Sequence, residues 1–540
     1  MSASSKKKLR NAEQAEKLTE KQLAEQQEAK KLKLYTTLAV VILIALVVFA
    51  AYVGISRTVS NSGILERKTV ALTIDGKEIS NAELNFYFID AVNQFYSQYG
   101  SYASLMGLDL TKPLNQQVLT GESRETWADD FLEVAIENIK DTYALVGEAN
   151  AVGYTLPEDA VSSIDAAIQT MELYATVYGY SNVKTYLKAM YGNGTTVEGL
   201  RNYYEMTELA RYYQDHYKSS LTYTDDELRA AEAENYGKYS SFSYNYYYLN
   251  SYSFIETEGE GEAANTYTAE QKAEGALKAE ETAKSLIDGI TTVEEFDAAI
   301  AALPINAEST TAASYVSTDV AYNSMFAAYA EWMADSDRKA GDMTYVANTS
   351  TDEDGNEVIN GYYVVMFGSR NDNTYVLPNV RHILVNFEGG TYNSTTGAYD
   401  YTEEEKAAAW AEAEAILNEW KSGEATEESF AALANEKSDD GNGTTGGLYE
   451  KVYPGQMVSS FNDWCFDARE VGDTDIVEST YGCHVMFYSG DSETTYRDYL
   501  ISEDLANTAY TAWYNELTEA VTATEGNFKY ISMDLVLSAS

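Results

Sequence analysis

The sequence predicts an α+β protein with an N-terminal transmembrane helix, a helical domain and a module that occurs twice. Three observations support this organisation. An uncharged apolar run covers residues 34–56, helical periodicity dominates from about residue 80 to residue 220, and one spacing of apolar residues occurs in two later stretches. At 540 residues the chain is too long for one hydrophobic core, so three or four domains are expected.

The charge composition excludes one class of partner. The chain has 37 Lys and Arg against 85 Asp and Glu, a formal net charge of −48. Such a surface repels a phosphate backbone, so no nucleic acid is expected as a partner. With three histidines and two cysteines the sequence shows no metal-ligand spacing, and no metal or other cofactor is expected. Cys465 and Cys483 could form a disulfide or remain two packed thiols.

The N-terminal residues predict a membrane anchor. Residues 1–33 form a basic, helix-favouring stretch, and the 23 residues 34–56 carry no charge. As a helix, this run covers roughly 30 Å, the thickness of a hydrocarbon core. The basic flank favours a cytoplasmic N-terminus, which predicts a single-pass protein of the cell membrane with its bulk outside the cytoplasm. A buried core helix and a cleaved signal peptide are the alternatives.

Residues 69–225 predict a helical domain that begins with a hairpin. Val70–Ile74 alternates as a strand does, and the Asp-Gly dipeptide after it is a tight-turn signal. Ser80 and Glu83 form a capping box that starts a helix. From there to about residue 220, apolar and aromatic residues recur at spacings of three and four, which indicates further helices.

The C-terminal half contains an internal repeat, with copies at 239–371 and 376–490. Each copy has an Ala- and Glu-rich helical stretch upstream and ends in an apolar strand that contains Val-Met-Phe. In each copy Met, an aromatic residue and Trp stand at spacings of four and three: Met325, Tyr329 and Trp332, then Met457, Phe461 and Trp464.

The two copies differ where chemistry is possible. Alignment on the Val-Met-Phe triplets places His484 at the position of Val364 and His382 near Asn245. After the second copy, the segment 491–540 predicts a helix and then a strand. The expected bounds are Tyr496 to about Thr524 for the helix and Tyr530 to Leu537 for the strand.

Short motifs in the second copy resemble those of the parvulin family of peptidyl-prolyl isomerases. In chain order they are Val380-Arg381-His382-Ile383-Leu384-Val385, Gly446-Gly447-Leu448, Pro454-Gly455-Gln456-Met457 with Phe461, and Tyr481-Gly482-Cys483-His484-Val485-Met486-Phe487. The resemblance implies a four-stranded antiparallel sheet with helices around it, and isomerisation of X-Pro peptide bonds. It is strong over the second copy and weak over the first. The N-terminal hairpin and helical domain are similar to those of SurA and PrsA foldases.

The resemblance implies an apolar pocket for the proline ring of the substrate. Leu448, Met457 and Phe461 match the family's pocket residues, the last two at a spacing of one helical turn. A core role for this pair is an equal alternative, because the first copy has similar residues at the same places. Val452 stands where the family has a second pocket aromatic residue, which puts the strength of proline binding in doubt.

The resemblance also implies a polar network beneath the pocket. His382 and His484 match two histidines on neighbouring strands, and Asp440 falls where some parvulins carry an aspartate. Asp439 is an alternative for the same role, and Asp440 could equally be an ordinary loop residue. The loop Asn386 to Glu405 lacks Lys and Arg, so a preference for phosphorylated substrates is not expected.

These observations predict a membrane-anchored extracytoplasmic foldase of bacterial type that isomerises X-Pro bonds in newly exported polypeptides and has chaperone activity. The segment 491–540 is expected to fold back onto the helical domain, by resemblance alone. Two alternatives are a non-catalytic holdase that uses both copies only for binding, and a structural surface protein. The oligomeric state is left open.

Overall fold

The computed structural model describes residues 3–100, 102–119, 125–234, 236–255, 267–352, 355–441 and 445–536. The chain divides into two compact units, one formed by residues 1–220 with 509–540 and the other by residues 221–508.

The chain begins with two helices, α1 (Ala3–Asn61) and α2 (Ile64–Lys68). Among the described residues, one helical segment is long and apolar enough to cross a membrane: Val41–Asn61, with 21 residues and a mean hydropathy of 2.1. It overlaps the apolar run expected at 34–56. Leu43 and Phe49 are exposed within it, which speaks against the alternative of a buried core helix.

The first unit continues with a hairpin and a set of packed helices. The elements are β1 (Val70–Ile74), β2 (Lys77–Ser80), α3 (Asn81–Tyr99), α4 (Tyr102–Leu105), α5 (Trp127–Val152), α6 (Glu158–Val177), α7 (Val183–Tyr191) and α8 (Val197–Ser220). The turn between the antiparallel strands has Asp75 and Gly76 at φ values of 46° and 82°, as the sequence predicted. Buried side chains that include Phe86, Phe88 and Phe131 form the core of the first unit.

The start of α3 is only half the predicted capping box. The Ser80 hydroxyl accepts a hydrogen bond from the backbone N–H of Glu83, which caps the helix. The Glu83 carboxylate instead accepts a hydrogen bond from the Tyr143 hydroxyl at 2.7 Å. Tertiary contact with α5 therefore takes the side chain that the local motif would have used.

The second unit starts with α9 and a four-stranded antiparallel sheet, called here the first sheet. Its elements are α9 (Asp225–Glu234), β3 (Ser241–Asn250), α10 (Ala269–Ile287), α11 (Val293–Ala301), β4 (Tyr315–Ala321), α12 (Ala327–Ala334), β5 (Met343–Thr351) and β6 (Glu357–Asn371). The strand order is β4-β3-β6-β5. Helices α10 and α11 cover one face, and α12 packs against the other.

The second sheet follows directly. Its elements are β7 (Val376–Asn386), a hairpin of β8 (Thr391–Asn393) and β9 (Ala398–Asp400), α13 (Glu403–Ser422), α14 (Glu427–Lys437), β10 (Leu448–Tyr449), α15 (Ser459–Phe466), β11 (Thr474–Glu478) and β12 (Gly482–Thr495). The strand order β10-β7-β12-β11 has the same pattern as that of the first sheet. Phe430 of α14 packs on one face, and Phe461 of α15 packs on the other.

The register of the two sheets corrects the sequence alignment by one residue. In the second sheet, the N–H of Gly472 donates to the carbonyl of Tyr488 at 2.9 Å, and in the first the N–H of Gly341 donates to the carbonyl of Phe367 at 2.9 Å. Tyr488 therefore corresponds to Phe367. The Val-Met-Phe triplets are one residue out of phase, because strand positions alternate between faces and the triplet does not record which face each residue occupies.

The corrected register gives the histidines different counterparts. His484 lies opposite Val477, and Tyr363 lies opposite Val346 in the same place of the first sheet. His484 thus corresponds to Tyr363, not Val364. By the same register His382 corresponds to Tyr246, not Asn245. Their rings are neighbours in both sheets, at 5.3 Å for the histidines and 6.1 Å for the tyrosines.

The C-terminal strand lies earlier than expected. After α16 (Tyr496–Glu519), the strand is β13 (Ala523–Glu525), which pairs antiparallel with β1. The strand expected at 530–537 is wrong, since residues 530–536 are turns and irregular chain; residue 537 lies outside the described part. The alternation there reflects Ile531, Met533 and Leu535, which pack into the core of the first unit from an irregular chain. β13 occupies the free edge of β1 instead.

Replacing Ile531 by Ala should destabilise the first unit, because this side chain is only 6% exposed within its core. The expected loss is about 2–5 kcal/mol in the free energy of unfolding. Val536→Ala is the matched control, since Val536 is 52% exposed and should change stability by less than about 0.5 kcal/mol. Urea denaturation followed by circular dichroism measures both. Equal stability of the two variants would contradict the packing of this segment.

Candidate functional site

The two central strands of the second sheet bring His382 and His484 together. β7 and β12 pair antiparallel, with His382 opposite Met486 and His484 opposite Leu384. The two imidazoles are buried, at 3% and 5% exposure, and their Nδ1 atoms are 3.2 Å apart. Since Nδ1 can donate or accept, one shared proton makes this contact a hydrogen bond.

The histidine pair continues at both ends into other polar side chains. His382 Nε2 lies 2.9 Å from Oδ2 of Asp440. His484 Nε2 lies 2.8 Å from the hydroxyl oxygen of Ser479. The hydroxyl of Tyr449 donates to the same Oδ2 of Asp440 at 3.0 Å. Five side chains therefore form one continuous hydrogen-bonded network.

The protonation states of these side chains indicate which atom donates in each hydrogen bond of the network. Hydrogen bonds, first from His382 and then from Tyr449, hold the pKa of Asp440 at about 2, so the carboxylate only accepts. Burial, reinforced by the neighbouring His382, lowers the pKa of His484 to about 4, so its ring is neutral at pH 7. His382 therefore donates from Nε2 to the carboxylate, and we infer that its Nδ1 accepts from His484. His484 donates from Nδ1 and accepts at Nε2, where Ser479 donates.

Asp440, and not Asp439, is the carboxylate of this network. Asp439 has a different structural task, because its carboxylate accepts from the N–H of Asn386 at 2.9 Å and its own N–H donates to the carbonyl of Leu384 at 2.9 Å. These bonds attach the chain after α14 to β7. Asp440, one residue later, is thereby placed against His382.

Close backbone approach explains the double glycine before β10. The N–H of His382 donates to the carbonyl of Gly447 at 3.0 Å, and Gly447 has φ at +67°. A Cβ at this position would collide with the carbonyl of His382. Arg381 supports the same loop by donating to the carbonyl of Gly446 at 3.0 Å. The Gly-Gly-Leu motif therefore serves to bring β10 beside β7.

The aromatic ring of Phe461 lies directly on the histidine pair. Its centroid is 5.2 Å from that of His382 and 5.4 Å from that of His484, edge-on to both. Phe461 is 1% exposed, whereas Met457 and Leu448 are each partly exposed. Met457 packs in the same apolar cluster as Phe461. Met457 and Phe461 thus lie in the apolar cluster beside the polar network, whereas Leu448 pairs with Arg381 and is not part of that cluster.

Two expectations about the pocket need correction. Met457 does not share a helix with Phe461, because α15 begins at Ser459 and Met457 precedes it. Val452 does not line an open pocket, since it is fully buried in the cluster with Phe461. Its N–H donates to the carbonyl of Pro378 at 2.8 Å, which draws the longer loop inward. The half-buried aromatic neighbour is instead Tyr449, 6.4 Å from Phe461.

Sequence reasoning missed Ser479 and Tyr449. Ser479 lies in the tight turn between β11 and β12, where its N–H donates to the carbonyl of Gly482 at 2.8 Å. Tyr449 directly follows Leu448 on β10 and is half-buried. A hydroxyl residue five positions before His484 was the available signal for the first. Nothing in the local sequence indicated the second.

The two cysteines are free thiols, and both are buried. Burial raises the pKa of Cys465 to about 12 and that of Cys483 to about 11. The thiolate is the reactive form, so neither side chain is a nucleophile at neutral pH.

Replacing His484 by Gln should reduce the amount of folding stability that the protein loses when the pH falls. The folded pKa of about 4 lies below the ordinary value of 6.5, so the unfolded chain binds the proton first as the pH falls. Wild type should therefore lose about 3 kcal/mol from this group between pH 7 and pH 4, and the variant should not. Urea unfolding of the second unit at both pH values measures the difference. The exposed His216 provides the control His216→Gln, and equal pH dependence in all three proteins would contradict a buried neutral His484.

Comparison with known proteins assigns this region to a family. A family model described as a PPIC-type PPIase domain matches residues 362–488. No curated protein matches the chain.

Solved structures of PrsA are similar to parts of the chain. For peptidylprolyl isomerase PrsA from Bacillus cereus the identity is 26%, over 27% of this chain and 49% of that one, with a TM-score of 0.18. PrsA from Bacillus subtilis is 15% identical, over 61% of this chain and 89% of that one, with a TM-score of 0.18. Foldase protein PrsA from Streptococcus pneumoniae is 10% identical, over 79% of this chain and 86% of that one, with a TM-score of 0.18. The chain thus spans about half the length of the Bacillus cereus protein.

The matched residues begin in β6 and extend through β7 to β12, so they contain both histidines, the carboxylate and the apolar residues above them. This chain therefore carries a parvulin-type peptidyl-prolyl isomerase domain.

Proposed function

We propose that the protein is a membrane-anchored extracytoplasmic foldase whose second sheet isomerises X-Pro bonds in exported polypeptides. The observation that carries this proposal is the contact of Phe461 with the His382–His484 pair, which joins an apolar ring to a hydrogen-bonded polar network. Rotation about an X-Pro bond breaks no covalent bond and faces a barrier of about 18–20 kcal/mol. A catalyst must hold the ring and favour the twisted amide over both planar forms.

The apolar residues meet the first requirement, which is to hold the proline ring. Met457 and Phe461 belong to the apolar cluster on the face of the sheet that carries the histidines, and a proline ring gains from burial against such side chains. The buried imidazoles beneath contact Phe461, and burial lowers the pKa of His484 so that its ring is neutral at pH 7. A neutral imidazole ring beneath the pocket avoids the desolvation cost that an imidazolium would add.

The carboxylate fits the second requirement. The low pKa of Asp440 keeps its carboxylate ionised, and about a quarter of its side chain is exposed (28%). A planar amide places partial negative charge on its carbonyl oxygen, and twisting removes part of it. An anion beside that oxygen raises the energy of the planar forms relative to the twisted one. His382, Asp440 and His484 thus support the rotation without any proton transfer.

The remaining parts of the chain support a foldase. The apolar helix Val41–Asn61 would anchor the protein, with the basic N-terminal residues in the cytoplasm. The first unit would hold unfolded segments of client chains near the isomerase domain. No Lys or Arg lies between Asn386 and Glu405, so unphosphorylated X-Pro segments are the proposed substrates.

The first sheet would be a degenerate parvulin-like module that binds or spaces but does not catalyse. Its support is the shared strand order and the replacement of the histidine pair by Tyr246 and Tyr363. Tyr329 occupies the place of Phe461 and its hydroxyl lies 3.2 Å from that of Tyr244. These phenols form no counterpart of the carboxylate-linked network.

A second candidate function is binding without catalysis. It is favoured by the burial of Phe461 and Val452, at 1% and 0% exposure, because a substrate ring must displace or rotate side chains to reach them. A holdase would bind unfolded chains through both sheets and leave the isomerisation rate unchanged.

Removing the pocket ring or the carboxylate should slow isomerisation. In the full chain, Phe461→Ala and Asp440→Ala are each expected to lower kcat/KM by about ten- to a hundredfold, roughly 1.4–2.7 kcal/mol of transition-state stabilisation. The measurement is NMR exchange spectroscopy of a short X-Pro peptide, together with refolding of a proline-limited protein.

The matched control is Tyr329→Ala, which removes the corresponding ring of the first sheet and should leave the rate unchanged. Wild-type protein that binds the unfolded client but gives the buffer rate would favour the holdase. Equal activity in wild type and both second-sheet variants would refute the site.

A further inference from the structure

We propose that Tyr449 is a positioning residue of the isomerase site, which fixes the Asp440 carboxylate against His382 and so sets the direction of the hydrogen-bonded network. This inference rests on the proposed isomerase function, and it adds a residue that the sequence motifs did not indicate.

Two donors converge on one oxygen of Asp440. Tyr449 OH lies 3.0 Å from Oδ2, and His382 Nε2 lies 2.9 Å from the same atom. The donors come from different strands, since Tyr449 is on β10 and His382 on β7. The backbone N–H of Gly441 also donates to this carboxylate, so Tyr449 adds to His382 a second side-chain donor at Oδ2.

The backbone places Tyr449 firmly. β10 has only two residues, and both pair with β7, Leu448 with Arg381 and Tyr449 with Val380. The ring lies 5.3 Å from the ring of His382 and is half-buried. Tyr449 therefore contacts both His382 and Asp440, and it supports the hydrogen bond between them.

The chemistry of the phenol suits a permanent donor. Burial and the adjacent carboxylate raise the pKa of Tyr449 to about 12, so its hydroxyl keeps its proton at every physiological pH. Its hydrogen bond in turn helps to lower the pKa of Asp440. The ionised carboxylate accepts from Nε2 of His382, which leaves Nδ1 of His382 free to accept from His484.

The first sheet provides a comparison within the same chain. Ser317 pairs with Tyr244 there, as Tyr449 pairs with Val380 in the second sheet. The tyrosine at this strand position thus occurs only in the sheet that also has the histidine pair. This association is what a role in the histidine network predicts.

The test is Tyr449→Phe in the full chain, which removes the hydroxyl and keeps the ring. Loss of one donor should raise the pKa of Asp440 toward its ordinary value, so the acid limb of the kcat/KM profile should move to higher pH. At pH 7 we expect a fall in kcat of about three- to tenfold with KM unchanged, since a hydrogen bond to a charged group is lost while the pocket ring remains. In an Asp440→Asn background the same substitution should have less than a twofold effect.

The control is Tyr453→Phe, because Tyr453 stacks on Tyr499 and lies outside the network. A second readout does not need activity. The chain has three histidines, so selective 13C-histidine labelling gives resolvable ring signals, and Tyr449→Phe should shift the acid titration of His484 while the signals of His216 are the same as in wild type.

The outcomes separate the two proposals. An inactive wild type would overturn the isomerase function, and the histidine titrations would still decide the role of Tyr449. An active wild type with an unchanged pH profile and unchanged titrations in Tyr449→Phe would overturn the positioning role and leave the isomerase standing. Equal losses in Tyr449→Phe and Tyr453→Phe would show a general packing effect and would also overturn it.

Discussion

The site depends on one contact, the hydrogen bond between Nδ1 of His382 and Nδ1 of His484. It exists because β7 and β12 are adjacent and antiparallel, with a register that puts both rings on the face covered by α15. A buried imidazole without a partner would cost the full desolvation penalty of a polar group. Here each ring nitrogen has a partner, so two polar rings sit under Phe461 inside an apolar cluster. The ionised Asp440 at one end determines which nitrogen donates at each step.

The first sheet shows that the scaffold does not require this chemistry. It has the same strand order, a similarly placed helix, and aromatic rings where the second sheet has imidazoles. Tyrosine satisfies the packing of that face, and its hydroxyl reaches another hydroxyl, as between Tyr244 and Tyr329. A phenol cannot both donate and accept from opposite sides of a ring as an imidazole does. The network is thus a property of a few side chains placed on a common framework.

Much of this could be read from the sequence, and the exceptions have physical causes. The hairpin at Asp75-Gly76, the helices up to residue 220 and the two copies with a shared spacing all follow from local patterns. The one-residue slip that paired His484 with Val364 arose because apolar triplets carry no information about which face of a strand is buried. The strand expected at 530–537 failed because alternating apolar residues can pack from an irregular chain. Tyr449 could not be found because its partner, Asp440, is brought near by the fold of β10 against β7.

The most direct measurement is the protonation state of the two histidines in the resting full chain. Selective 15N-histidine labelling distinguishes the tautomers through the shifts of the ring nitrogens, and the chain offers only three histidines. At pH 7 the account predicts a neutral His484 with its proton on Nδ1, and a proton on Nε2 of His382 that is donated to Asp440. An imidazolium at His484, or a His382 without a proton on Nε2, would contradict the directional network on which the site is built.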